Sequence, residues 1–276
     1  MDELRQGAGK SRKKGINISR GEYIFLADSD DILERELLEL TYKNGVNNNS
    51  DIIFFKVNYF NHTNNLIFSP KKFDLSEFFP KEQNFDYFTF KWDSIKPVVF
   101  NRFTNIWSCL FKGDFLRNND FCFPEKLSFN DVPLHVQTLI LAERLSFVPK
   151  ALYNYRLINE QSITIKTHGN RKVFDIFKIS NILENFLIEN HLEDIFRLEL
   201  INFKIDHYTY HLNKVNNNEI INEFFNIIKQ EFANFNISET EFAQLSDDFK
   251  MEFLSITKSS SYSEYNIRRK ISMSST

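Results

Sequence analysis

Four polar residues, Asp28-Ser29-Asp30-Asp31, follow directly on an unbroken apolar run, Tyr23-Ile24-Phe25-Leu26-Ala27. Carboxylates two residues apart on extended backbone share a face, so Asp28 and Asp30 are expected to point into one crevice. Hard oxygen donors so placed suit Mg2+ or Mn2+, which keeps waters and takes its remaining ligands from substrate phosphates. In open α/β sheets such crevices lie outside the carboxyl ends of the strands, where a following helix offers unpaired N–H groups. A structural reading competes. Asp31 would cap the next helix, with Glu34 three residues on completing a capping box. Both readings hold together if Asp31 caps while Asp28 and Asp30 bind metal.

The elements that must position these acids are legible in outline. Residues 10–19 read as a helix ending before Gly21, and the run 23–27 reads as a strand buried on both faces, typical of parallel sheets. Helical spacing through Leu33, Leu37, Leu38 and Leu40 leads to a second buried strand at 51–55, which makes a βαβ unit. Between 58 and 127 the pattern is irregular apart from Trp107-Ser108-Cys109-Leu110-Phe111. A helix is expected from Asp131 to about Arg144, with strands at 145–148 and 151–156. Apolar residues at three- and four-residue spacing then mark helices near 171–190, 193–213, 218–235 and 238–256, and the residues from Lys258 look frayed. The expected domains are 1–165, α/β, and 166–276, helical.

The chain has 276 residues, 34 Lys plus Arg against 37 Asp plus Glu, and a net charge of −3, so no global basic field recruits nucleic acid. Two cysteines, Cys109 and Cys122, can supply neither a disulfide framework nor four zinc thiolates, which fits a reducing compartment. No apolar run approaches a membrane span, and the first residues lack the apolar core of a signal peptide. A soluble, cytoplasmic protein is expected.

The flanking residues carry a resemblance. Gly7-Ala8-Gly9-Lys10-Ser11-Arg12-Lys13-Lys14-Gly15-Ile16 with Gly21 through Asp31 resembles the middle of the family 2 glycosyltransferase domain. Trp107 through Leu110, Phe123-Pro124-Glu125, Asn130-Asp131, Leu145 through Pro149 and Leu152 through Arg156, continuing to Ser162-Ile163-Thr164, resembles its acceptor-side half. The resemblance implies a GT-A fold: a Rossmann-like, mainly parallel sheet flanked by helices, here followed by the helical C-terminal region. It further implies a nucleotide-sugar donor (most often a UDP-sugar), Mn2+ or Mg2+, and inversion at the anomeric carbon.

By that resemblance Asp28, Ser29 and Asp30 form the D-x-D donor motif, with Asp28 and Asp30 on the metal, and Arg12 lies on the donor side. The family's acidic pair at a helix start falls on Asn130-Asp131, which makes Asp131 the base and replaces the first acid by an amide. The alternative for Asp131 is a helix cap, with Pro133 in the first turn. Trp107 matches an acceptor-region aromatic, although a core role suits tryptophan as well. His135, one turn after Asp131, shares its face and would touch acceptor or phosphate, against an ordinary structural role. Arg156 would approach the phosphates or pair with an internal acid.

The family's opening strands have no counterpart before Met1, and about 60–80 residues of the expected domain are missing on the usual size of βαβ units. The strand at 23–28 is then expected to expose an open edge, and transfer activity to be impaired. The expected function is sugar transfer to a glycan or lipid-linked acceptor in polysaccharide or glycoconjugate synthesis, with peripheral membrane association or dimerisation through the C-terminal helices both open. The rivals are a non-catalytic remnant serving as an interaction scaffold and, more weakly supported, a metal-dependent phosphate hydrolase.

Overall fold

The computed structural model describes residues 8–61, 66–101, 105–119, 121–157 and 167–273, so Gly7 and Ser162-Ile163-Thr164 of the quoted motifs lie outside the described residues. The chain divides into two compact units, residues 1–160 and 161–276.

The first unit is α/β. Helix α1 (Ala8–Ile18) precedes strand β1 (Tyr23–Phe25), and a two-residue strand β2 (Ile32–Leu33) follows the acid turn. Helix α2 (Leu37–Asn48) then leads to the long strand β3 (Ile52–Asn61), whose first four residues are fully buried. Strand β4 (Leu66–Phe68) pairs with the end of β3, β5 (Cys109–Lys112) runs into α3 (Gly113–Asn118), and α4 (Asp131–Leu141) precedes β6 (Leu145–Arg156). Val132 through Ile140 of α4 are all buried, as expected of a helix apolar on every side.

The sheet order is β1-β5-β3-β6-β2, with β4 beside β3. The mainly parallel sheet expected from the sequence is instead mixed: β3–β6 is the parallel pairing among the named strands, and the others are antiparallel. The reason is that β5 inserts antiparallel between β1 and β3, so the β1-α2-β3 unit spans a strand that arrives later in the chain. Strand β1 covers three residues and is half-buried rather than buried on both faces. Leu33 belongs to β2, and α2 starts only at Leu37. The two strands read at 145–148 and 151–156 are one, β6. Its register against β3 shifts between Phe55 and Val57, so Pro149 and Lys150 bulge out of the ladder, where a missing N–H is harmless.

The second unit is a helical bundle of α5 (Asp175–Glu189), α6 (Glu193–Leu212), α7 (Asn218–Ala233), α8 (Glu239–Gln244), α9 (Asp247–Thr257) and α10 (Tyr262–Met273). The segment read as one helix over 238–256 is split at Leu245-Ser246, where the Ser246 hydroxyl accepts from the Phe249 N–H and starts α9. The end expected to fray is helical. Tyr265 is fully buried and donates to the half of Glu252 that Arg269 leaves, at 2.8 Å, while Arg269 holds the other oxygen at 2.7 Å. Among the described residues no helix is long and apolar enough to cross a membrane.

Candidate functional site

The acid turn lies where β1 and β2 meet the end of β6. Asp31 N–H returns to the Asp28 carbonyl at 3.4 Å, closing the turn. Asp31 does not cap a helix, and Glu34 forms no capping box, because residues 32–33 are strand and the helix starts later. Its carboxylate instead accepts from the Tyr153 hydroxyl at 2.6 Å and from the Arg156 N–H at 2.7 Å, while Glu34 accepts from the Asn154 amide at 2.7 Å. Burial raises the Asp31 pKa above the usual carboxylate range against these two donors, and Asp30 and Asp28 add to the rise. Ser29 and Asp30 are exposed on the turn, and Asp28 is half-buried.

Arg12 joins this turn to α4. Its guanidinium, 21% exposed, donates to Asp28 at 2.9 Å and to the Asn130 side-chain oxygen at 3.1 Å. The approach is close because α1 lies against the loop before α4: a Cβ at Gly9 would stand 3.2 Å from the Pro124 carbonyl oxygen. Asn130 occupies the N-cap position without a side-chain capping bond, its amide donating to the Leu127 carbonyl at 3.1 Å. Phe129, immediately before it, holds φ at 59°, a left-handed conformation that costs a non-glycine residue about 1–3 kcal/mol. Such strain at the turn presenting Asn130-Asp131 is maintained only by the surrounding packing.

Asp131 opens α4 in dense surroundings, and burial pushes its pKa up to about 6. The Arg12 charge and the N–H groups of Asp131 and Val132 oppose that rise, and Asp28 adds to it. Arg12, Asp28, Asn130 and Asp131 thus form one electrostatic cluster.

Of three other expected site residues, two are buried in the core and one, Arg156, supports the acid turn. His135 is fully buried with its ring edge-on to Phe54, centroids 6.1 Å apart, and burial lowers its pKa to about 3. The helix face shared with Asp131 turns inward, so the expected acceptor contact is not made through His135. Trp107, 4% exposed, is stacked 5.0 Å from both Tyr153 and Tyr155, at 11° and 13°, which is the core role rather than the acceptor one. Arg156 serves the acid turn itself: its Nε donates to the Asp30 carbonyl at 2.7 Å and its backbone N–H to Asp31. Tyr153 was not singled out from the sequence, although strand alternation in Leu152-Tyr153-Asn154-Tyr155 puts both tyrosines on one face.

The side-chain oxygens of the acid turn differ in how far they are available to a divalent cation. Tyr153 and Arg156 engage both Asp31 oxygens and Arg12 engages one of Asp28, while Asp30 stands exposed on the turn. Among the described residues no group of three or more histidine, cysteine or acidic side chains is arranged for a metal. An all-protein cage is therefore not what these residues build. Two carboxylates at a strand end fit the other mode, in which Mg2+ or Mn2+ is shared with substrate phosphates and water.

Comparison with known proteins points to glycosyltransferases. The glycosyl transferase family 2 model matches residues 2–113. An uncharacterized glycosyltransferase of Methanocaldococcus jannaschii is 27% identical over 186 residues, 62% of this chain and 59% of the relative. A cholesterol galactosyltransferase of Borreliella burgdorferi is 24% identical over 74% of this chain and 56% of its own. This chain therefore spans less than two thirds of the length of either. The crystal structure of Staphylococcus aureus TarS residues 1–349 in complex with UDP-GlcNAc matches with a TM-score of 0.62 and 16% identity, over 100% of this chain and 74% of that one. Its likeness shows the fold, a GT-A-like α/β sheet with a helical C-terminal region. Residues 2–113, which carry α1, the acid turn and β5, are thus similar to the glycosyl transferase family 2 domain, a likeness that spans less than half of the chain.

Proposed function

We propose that this protein transfers a sugar from a nucleotide-sugar donor, read as a UDP-sugar, to a hydroxyl of a glycan or lipid-linked acceptor, with inversion. One observation carries the reading: Arg12 touches both Asp28 and Asn130, so the donor-binding acids and the acid that opens α4 share a site. The family relatives' names and the UDP-GlcNAc complex of TarS support a nucleotide-sugar donor. The transfer chemistry is assigned to residues 1–165, with 166–276 as a separate helical domain.

In the reaction the acceptor oxygen bonds to the anomeric carbon while the bond from that carbon to the nucleoside diphosphate breaks. The bonding electrons leave with the diphosphate, and the acceptor proton goes to the Asp131 carboxylate. A carboxylate whose pKa stands near 6 is ionised at neutral pH yet more basic than an ordinary aspartate, as general-base catalysis requires. Asp28 and Asp30 are the residues that would hold Mn2+ or Mg2+, which when bound neutralises charge on the departing diphosphate. Arg12 supplies a fixed positive charge beside the same position.

The scaffold reading draws on the same Arg12–Asp28 pair, which neutralises one of the two acids the cation would need. Asp131→Asn distinguishes them. With a panel of UDP-sugars and acceptor glycans, the enzyme reading expects wild-type turnover that falls by at least 10²-fold in the variant. Equal product formation by both proteins would overturn it.

A further inference from the structure

We propose that Tyr153 is a positioning residue of the donor site, its hydroxyl pinning both ends of the Asp28–Asp31 turn. The inference rests on the donor-site reading above and deepens it. The hydroxyl accepts from the Asp28 backbone N–H at 3.3 Å and donates to the Asp31 carboxylate at 2.6 Å. One oxygen atom thereby spans the turn that carries Asp28 and Asp30, the proposed cation ligands. Tyr153 touches neither ligand carboxylate and so acts through the backbone that carries them.

The ring is held as firmly as the hydroxyl is placed. Tyr153 is fully buried toward the C-terminal end of β6, stacked on Trp107 at 5.0 Å and 11° and edge-on to Phe25 of β1 at 6.0 Å. Its hydroxyl therefore reports the position of the sheet core to a loop that is otherwise exposed at Ser29 and Asp30. Arg156 reinforces the anchorage from the same strand, through its backbone N–H to Asp31 and its Nε to the Asp30 carbonyl. Trp107, which the family resemblance matches to an acceptor-region aromatic, backs the Tyr153 ring. Holding cation ligands in place before the substrate arrives is what lets a site of two carboxylates bind without reorganising.

Tyr153→Phe removes the hydroxyl and keeps the ring. The proposal expects an unchanged thermal midpoint to within a few degrees, amide exchange at Asp28 and Asp31 faster by tenfold or more, and unchanged exchange at Ile53 and Phe54 in β3. It further expects UDP affinity in the presence of Mn2+, read by calorimetry, to weaken about tenfold. A purely packing role gives the opposite pattern: Tyr153→Phe matches wild type in exchange and binding, and only Tyr153→Leu loses stability. That result would overturn the proposal. Wild-type protein that takes up no UDP with Mn2+ would instead sink the donor-site reading, while the exchange rates still decide whether the hydroxyl fixes the turn.

Discussion

Asp131 couples stability to function in opposite directions. Its pKa in the folded chain, about 6, lies above that of a free aspartate, so between roughly pH 4 and 6 the folded state binds more protons than the unfolded one. Stability contributed by the protonated form is present below that window and is lost as pH rises through it. Asp131→Asn should therefore raise stability at pH 7 by about 1–2 kcal/mol, the raw shift being discounted for solvent screening, and remove transfer activity. Paired urea titrations and product assays check both. In the wild type the transfer rate should climb with pH to a midpoint near 6 and level off above it; a rate that falls through that range would contradict the assignment of the base. At this scale spacing and resemblance singled out Asp28, Asp30, Arg12 and Asp131, of which Arg12 touches Asp28 and acts on the charge of Asp131. Spacing does not carry burial, which is why the sequence leaves His135 and Trp107 open between an acceptor-side and a structural role and does not single out Tyr153. Asp31 looked like a cap because an acid three residues before a glutamate has the same text whether a helix or a two-residue strand follows.

Helix α2 lies on the sheet because Gly45 leaves room for it. A Cβ there would stand 2.9 Å from both Ile53 Cδ1 and Tyr23 Cζ. Alanine normally favours a helix over glycine by about 1 kcal/mol, but overpacking of this kind costs about 1–3 kcal/mol. Gly45→Ala should therefore destabilise, by about 1–2 kcal/mol in chemical denaturation; a stabilised variant would mean that α2 shifts freely. In the helical unit, Glu252→Ala leaves the buried Tyr265 hydroxyl and Arg269 without their shared partner, a loss of about 2–3 kcal/mol visible in thermal melting. Long periodic helices and the buried run of β3 were legible in the sequence. The insertion of β5 between β1 and β3 was not, since strand order depends on pairings far apart in the chain. Pro149 broke the text of β6 although it only bulges the strand.

At the scale of the whole molecule, each unit carries its own core. In the first, Ile52 through Phe55, Phe111, Phe147 and Tyr153 are buried in the sheet; in the second, Ile179, Phe196, Phe203, Tyr208 and Phe224 are buried among helices. A segment holding residues 161–276 should then retain its helical circular dichroism and a cooperative thermal transition when produced alone; a non-cooperative melt would show that its core is incomplete. The proposed transfer requires the acid turn and Asp131 to form one cation-assisted donor site. Calorimetric titration of UDP tests this most directly, with Mn2+, with EDTA, and with Asp30→Ala in Mn2+. Saturable binding in Mn2+ that weakens at least tenfold in EDTA and in the variant is the predicted result. Absence of binding by the folded wild type, or equal affinity in all three titrations, would contradict it.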